Sequence, residues 1–209
     1  MSGDEVVAAL DTLYPRVKTP LHHKDAFQLL VATVLSAQCT DAQVNSVTPI
    51  LFENFPTAKS LSKASLSELE KLVKSTGFYH VKAKRIRQIS RDLVRNFHGE
   101  IPQKLEELIK LPGVGRKTAN IVLSVGFDKI EGVAVDTHVL RLSQRIGLSS
   151  EKIPEKIEQD LMHITSKRHW PRLSLLLILH GRTVCNARRP KCEICILSKK
   201  CLYYAKRDK

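Results

Sequence analysis

Apolar residues recur along this chain with the spacing of amphipathic helices, and no segment shows a convincing alternation of period two with turn residues at its ends. The range 25–37 is predicted to be an apolar helix. Thr40 and Gln43 form a capping-box pattern that begins the next helix, which is predicted to end near Phe52. The pattern therefore predicts an all-α protein.

Two further helices are predicted between residues 65 and 99. Ser65 and Glu68 form a second capping-box pattern, and Gly77 ends the helix that follows. The next helix ends near His98, and five apolar residues define its core-facing side: Val81, Ile86, Ile89, Leu93 and Val94. Its other side carries five cations, most of which we expect to be solvated: Lys82, Lys84, Arg85, Arg87 and Arg91.

The second half of the chain continues the helical pattern. Residues 103–127 contain two predicted helices joined by the short segment 111–115, and Asp136 begins another helix. Prolines at positions 154 and 171 begin two more.

Charge changes this picture, because 34 Lys and Arg oppose 21 Asp and Glu and give a net charge of +13. An excess this large points to a polyanionic partner, and nucleic acid is the leading candidate. Residues 181–209 alone hold nine Lys and Arg against two acidic residues. With 43% hydrophobic residues, the chain can still bury an ordinary core.

The sequence suggests a cytoplasmic protein, nucleoid-associated if the source is prokaryotic, with no membrane partner. Its first residues show no basic start followed by a long apolar stretch, and no apolar run reaches the roughly 18 residues of a membrane span. We found no sign of an oligomer and expect a monomer.

Four of the five cysteines crowd into one segment, with the spacing C-x6-C-x2-C-x5-C: Cys185, Cys192, Cys195 and Cys201. This grouping favours a metal site over a disulfide framework. On spacing alone, an iron–sulfur cluster and a four-cysteine zinc site both remain open. Cys39 is expected to be a partly buried thiol without a role.

The segment Leu111-Pro112-Gly113-Val114-Gly115 is a compact turn whose glycines permit positive φ. Its amides, beside the start of the following helix, can hold a phosphate oxygen. Arg116 and Lys117 follow in the first helical turn, where cations are disfavoured by about 0.3–1 kcal/mol. A DNA phosphate would compensate for this cost.

The stretch LPGVGRKTAN resembles the helix-hairpin-helix glycosylase superfamily, and specifically its endonuclease III branch. The resemblance covers essentially the whole chain. It implies that Lys117 is the catalytic nucleophile and that Asp136, in Val135-Asp136-Thr137-His138, is its carboxylate partner. It also implies that the four clustered cysteines hold a [4Fe–4S] cluster.

The resemblance further implies DNA-binding residues. Gln38, in the LSAQ motif of residues 35–38, would fill the gap left by an extruded base. Phe78 matches a loop in which the family often has leucine, so it is either a second wedge or a core residue. From their own chemistry, the hairpin residues Gly113, Val114, Gly115 and Arg116 are expected to bind phosphate, and so are three cations of the cysteine loop: Arg188, Arg189 and Lys191.

The implied fold has two helical domains with a DNA-binding cleft between them. One is a six-helix domain over 22–132, and the other combines 1–21 with 133–209. The implied function is a bifunctional DNA N-glycosylase and AP lyase that acts on double-stranded DNA with damaged pyrimidines or abasic sites. The alternatives are a monofunctional adenine or mismatch glycosylase, or a non-catalytic DNA-binding iron–sulfur protein.

Overall fold

The computed structural model describes residues 1–207, and the side chains of residues 1–206. This part of the chain is helical and contains no strand, which confirms the predicted all-α class. Its α-helices, in chain order, are α1 (Gly3–Leu13), α2 (Ala26–Leu35), α3 (Asp41–Asn54), α4 (Ala58–Lys63), α5 (Leu66–Val73), α6 (Tyr79–Phe97), α7 (Leu105–Leu108), α8 (Arg116–Phe127), α9 (Thr137–Ile146), α10 (Pro154–His163), α11 (Trp170–Thr183) and α12 (Leu202–Arg207). Among the described helices, none is both long and apolar enough to cross a membrane.

The described residues form two compact units. The first is the continuous range Thr19–Lys129, which contains α2 to α8. Its core is centred on α2, where nine of the ten residues are buried, and α6 and α8 pack against that helix. Gly126 permits the close approach of α8, since a Cβ at this position would lie 3.0 Å from the Cβ of Ala26.

The second unit combines Met1–Lys18 with the described residues from Ile130 onward. Helices α1 and α9 both pack on α11, and α9 contributes Val139, Leu142 and Ile146 to the core of this unit. Arg172 fastens the chain after α1, because its guanidinium donates to the carbonyls of Tyr14, Pro15 and Val17.

Local capping decides where several helices begin, as the sequence predicted. The Thr40 hydroxyl accepts a hydrogen bond from the Gln43 backbone amide at 3.2 Å and begins α3, but the second half of the predicted capping box does not form, because the Gln43 side chain bonds to Ser46 and Ser75 instead. Ser65 and Glu68 form a complete capping box at the start of α5. Helix α2 is shorter than predicted, because it ends at Leu35 and the chain turns over residues 36–39.

The prediction for the apolar side of α6 was partly wrong. Val81 and Val94 are 48% and 38% exposed, whereas Lys82 is only 3% exposed. The helical period explains the difference, since position 82 lies four residues before the buried Ile86 and therefore on the same side of the helix. Lys82 is thus a buried cation and not part of a solvated face.

Candidate functional site

The backbone of the turn between α7 and α8 is accessible to solvent at its two glycines. Gly113 has a φ of +78° and lies against the side chain of Arg85, because a Cβ at Gly113 would be 2.9 Å from the Arg85 Cδ. Val114 is 3% exposed, and its amide donates to the Leu111 carbonyl at 3.1 Å. Val114 thus anchors the turn to the core, and Gly113 and Gly115 provide its open surface.

Lys117 lies in the first turn of α8, directly after this open surface. Gly115 is the N-cap residue and has extended backbone, so Arg116 and Lys117 are the first two helical residues. Both side chains are exposed. An amine here is accessible to a large ligand and lies at the positive end of a helix dipole, which also attracts phosphate.

Asp136 is the N-cap residue of α9 and is half-buried. Its Oδ1 accepts hydrogen bonds from the amides of His138 and Val139, each at 2.8 Å. Both capping bonds use the same oxygen, which leaves Oδ2 outside the cap. The carboxylate is therefore held in one direction by the backbone while one oxygen stays available for electrostatic work.

Two arginines of α9 connect this helix to the cysteine segment. Arg141 donates through Nη2 to the carbonyls of Gly181 at 2.9 Å and Cys185 at 3.0 Å. Arg145 donates to the carbonyls of Asn186 at 2.8 Å and Ala187 at 2.7 Å. Helix α9 is thus capped by Asp136 at its start and hydrogen-bonded to the cysteine segment through Arg141 and Arg145.

The sequence reasoning did not identify these two arginines as functional. The signal that could have found them is their spacing, because two like charges four residues apart on a helix repel unless each has partners. Arg145 also stacks on Tyr203, with its guanidinium carbon 4.6 Å from the ring centre.

All four clustered cysteines line one pocket of the second unit, together with His180 and apolar side chains such as Ile146 and Leu197. Across the described residues, no three His, Cys, Asp or Glu side chains converge closely enough to hold a metal ion. The sulfur atoms have polar neighbours, since the Arg145 Nη1 lies 3.4 Å from the Cys185 Sγ and the His180 Nε2 lies 3.3 Å from the Cys195 Sγ.

The fit of this pocket to a metal cluster follows from its donors. Four cysteine sulfurs suit iron–sulfur and zinc chemistry, and the Arg145 guanidinium beside Cys185 favours a thiolate there, whereas burial raises the pKa of the Cys195 thiol. Burial lowers the pKa of His180 to about 4, so its ring stays neutral beside the sulfurs. The donor set therefore suits a thiolate-bound group in its chemistry, although the four sulfurs are not drawn together around one point in this structure.

Three cations extend from the loop between the first two cysteines. Arg188, Arg189 and Lys191 are exposed, whereas Cys192 is buried. The Lys191 amide donates to the Val184 carbonyl at 2.9 Å, which closes the loop on the end of α11. The loop thus directs its charged side chains to solvent from an ordered backbone.

Gln38 and Phe78 share an unusual backbone conformation. Their φ angles are +52° and +48°, in the left-handed region that non-glycine residues avoid. Gln38 is exposed, and Phe78 is 67% exposed and therefore not a core residue. Both side chains project from tight turns at the ends of helices of the same unit.

Comparison with known proteins decides the family. The family model described as "HhH-GPD superfamily base excision DNA repair protein" matches residues 31–167. Endonuclease III of Synechocystis sp. is 49% identical over 197 residues, which are 94% of this chain and 90% of that protein. This chain belongs to the endonuclease III family of that superfamily.

Two solved structures of endonuclease III bound to DNA are also similar to this chain. A non-covalent endonuclease III–DNA complex has a TM-score of 0.92 at 39% identity and covers 100% of this chain and 99% of that one. A trapped endonuclease III–DNA covalent intermediate has a TM-score of 0.93 at 39% identity, with both chains fully covered. The described residues therefore have the endonuclease III fold.

Proposed function

We propose that this protein removes oxidised or otherwise damaged pyrimidines from double-stranded DNA and then cleaves the strand 3′ of the abasic site. As an endonuclease III, the chain is a base-excision repair enzyme with DNA glycosylase and AP lyase activities. The protein acts as a monomer on its DNA substrate.

The observation that carries the proposal is the position of Lys117. A structurally similar endonuclease III has been trapped as a covalent intermediate with DNA, and a covalent intermediate requires a nucleophile on the protein. Lys117 supplies an exposed amine directly after a turn whose backbone can hold phosphate. We assign it as that nucleophile.

The chemistry follows from an amine attacking a deoxyribose. The Lys117 Nζ forms a bond to the sugar C1′ as the bond from C1′ to the base breaks and the base leaves with the electron pair. The sugar ring opens to give an iminium ion. Loss of a C2′ proton then expels the 3′ phosphate by β-elimination, and water finally releases the enzyme from the sugar.

We assign Asp136 the role of stabilising the positive charge that develops at C1′. Its capping bonds hold Oδ1 in place, so the carboxylate is oriented before the reaction and little reorganisation is needed. This role is compatible with its capping role, because Oδ2 takes no part in the two capping bonds.

Extrusion of the damaged base is assigned to the two exposed turn residues. A base inside a duplex must leave the stack before C1′ can be attacked, and filling the gap offsets the lost stacking. Gln38 would fill the gap, and the aromatic ring of Phe78 would stack as a second wedge.

A [4Fe–4S] cluster bound by Cys185, Cys192, Cys195 and Cys201 would order the basic loop. When bound, the cluster would link four points of the segment through its thiolate ligands. Arg188, Arg189 and Lys191 would then contact phosphates, and hairpin residues Gly113 to Arg116 would hold further phosphates.

Analysis of the cleaved DNA tests this proposal. A duplex with one thymine glycol should be nicked at that position. The upstream fragment should end in a 3′ unsaturated aldehyde, and the downstream fragment should begin with a 5′ phosphate. A duplex with normal thymine at the same position is the matched control and should stay intact. Release of the base with an intact strand would instead indicate a monofunctional glycosylase.

A further inference from the structure

The two turns that carry Gln38 and Phe78 are linked by contacts in the interior of their unit. A left-handed turn in a non-glycine residue is strained and persists only when its surroundings hold it. The Phe78 turn follows the short 3-10 segment Lys74–Thr76, and the Gln38 turn leads into α3. Helix α3 packs directly on the segment Lys74–Thr76.

The first link is the buried ammonium group of Lys82. Its Nζ donates to the Thr76 carbonyl at 2.6 Å, two residues before Phe78. Burial lowers the pKa of Lys82, and the nearby Cys39, which directly follows Gln38, acts in the opposite direction. The ammonium is therefore hydrogen-bonded to the segment before Phe78, and its charge interacts with the residue that follows Gln38.

Packing alone does not account for this lysine. No carboxylate among the described residues pairs with Lys82, and burying an ammonium group without one is costly. Methionine would occupy a similar volume without that cost. The charged hydrogen bond to the turn backbone is the feature that only the ammonium provides.

The second link lies nearer the surface. The Gln43 side chain, in the first turn of α3, donates from Nε2 to the Ser75 hydroxyl at 2.8 Å and to the Ser46 hydroxyl at 3.0 Å. The backbone amide of Gln43 donates a hydrogen bond to the Thr40 hydroxyl, which holds this residue at the start of α3. This bridge joins the start of α3 to the segment that precedes Phe78.

We propose that Lys82 is a positioning residue for base extrusion, which together with the Gln43–Ser75 bridge holds the Gln38 and Phe78 turns as one rigid element. The inference rests on the proposed function, because it takes both residues as DNA-inserting. Lys82 itself does not contact the reacting atoms. Its effect is to keep both inserted side chains at a fixed spacing.

The test compares Lys82→Met and Gln43→Ala with the control Ile89→Val, which alters a buried side chain further along α6. Single-turnover rates are measured on a duplex with thymine glycol and on the same duplex with an abasic site, where no base remains to be extruded. Lys82→Met should slow base removal roughly tenfold or more, as expected for loss of a charged hydrogen bond. Abasic-site cleavage should change by less than about twofold.

Hydrogen exchange of the DNA-free protein provides a readout that does not depend on activity. Lys82→Met should accelerate exchange at the amides of both turns, residues 36–40 and 74–79, and Ile89→Val should not. Gln43→Ala should show the same pattern more weakly, and it remains informative if Lys82→Met does not fold.

Equal losses on both substrates, or unchanged rates on both, would overturn the positioning role. Faster exchange in the Phe78 turn alone would overturn the coupling of the two turns. If exchange changes as expected but the wild-type protein neither removes the base nor cleaves the abasic site, the proposed function fails and the coupling stands.

Discussion

Replacing Asp136 by asparagine separates its capping role from its proposed catalytic role. Both capping bonds end on Oδ1, and the asparagine side-chain oxygen can accept the same two bonds from the His138 and Val139 amides. Asparagine and aspartate are comparable N-cap residues. The substitution therefore keeps the geometry and removes only the negative charge.

The two roles predict effects of very different size. Loss of the favourable interaction between the charge and the helix dipole should cost about 0.3–1 kcal/mol of unfolding free energy. Loss of a preorganised charge at the developing cation should cost about 3–4 kcal/mol in the barrier to base removal, or roughly 10²–10³ in rate. Asp136→Ala provides the contrast, because it loses both capping bonds and should lower stability by about 1 kcal/mol.

The assay combines urea unfolding with single-turnover release of thymine glycol and cleavage of an abasic site. Asp136→Asn should fold with near wild-type stability, lose base removal by orders of magnitude and retain more of its abasic-site cleavage, which requires no departing base. Base removal within about threefold of wild type in a stably folded Asp136→Asn protein would refute the electrostatic role.

Three further expectations concern the second unit. Protein purified anaerobically should contain iron and sulfide in equal amounts, and stoichiometric zinc without sulfide would contradict this. Cys192→Ser should lose both iron and sulfide along with the order of the basic loop, because ligand binding and local folding are coupled. Replacing Arg188 by glutamine should weaken binding to every DNA sequence alike and reduce the salt slope by about one unit, and an unchanged slope would show that this side chain does not contact phosphate. The hydrogen bond from Lys200, at 2.8 Å, lowers the pKa of Glu5 from 4.5 to about 2, so Glu5 stabilises the fold above pH 4.5 and loses this contribution as the pH falls towards 2. The melting temperatures of wild type and Glu5→Gln should therefore converge below pH 4.5, and a constant difference would contradict the assignment.

Helix boundaries set by local chemistry could be predicted from the sequence. Thr40, Ser65 and Asp136 each cap a helix with their own side chain, and a capping interaction spans only three residues. The all-α class follows in the same way from the spacing of apolar residues. The cysteine spacing also predicted a metal site, whereas the catalytic role of Lys117 and the choice of iron–sulfur over zinc came from resemblance to a family.

Features that depend on tertiary packing could not be predicted. In the sequence, Lys82 lies among the cations of α6 and is grouped with them. Only the orientation in which α6 packs on the core shows that Lys82 is buried. Phe78 is apolar and could have been a core residue, but its left-handed turn projects it into solvent. The partners of Arg141 lie about 40 residues further along the chain, beyond the reach of any local pattern.

Borohydride trapping on an abasic duplex tests the role of Lys117 most directly. Reduction converts the Schiff base to a stable link, so the wild-type protein should give a protein–DNA adduct whose modified peptide contains Lys117. Lys117→Gln should still bind the duplex but form no adduct, whereas Lys129→Gln, which alters an exposed lysine just after the same helix, should be trapped like wild type. A Lys117→Gln protein that forms the adduct at the wild-type rate would show that another amine is the nucleophile.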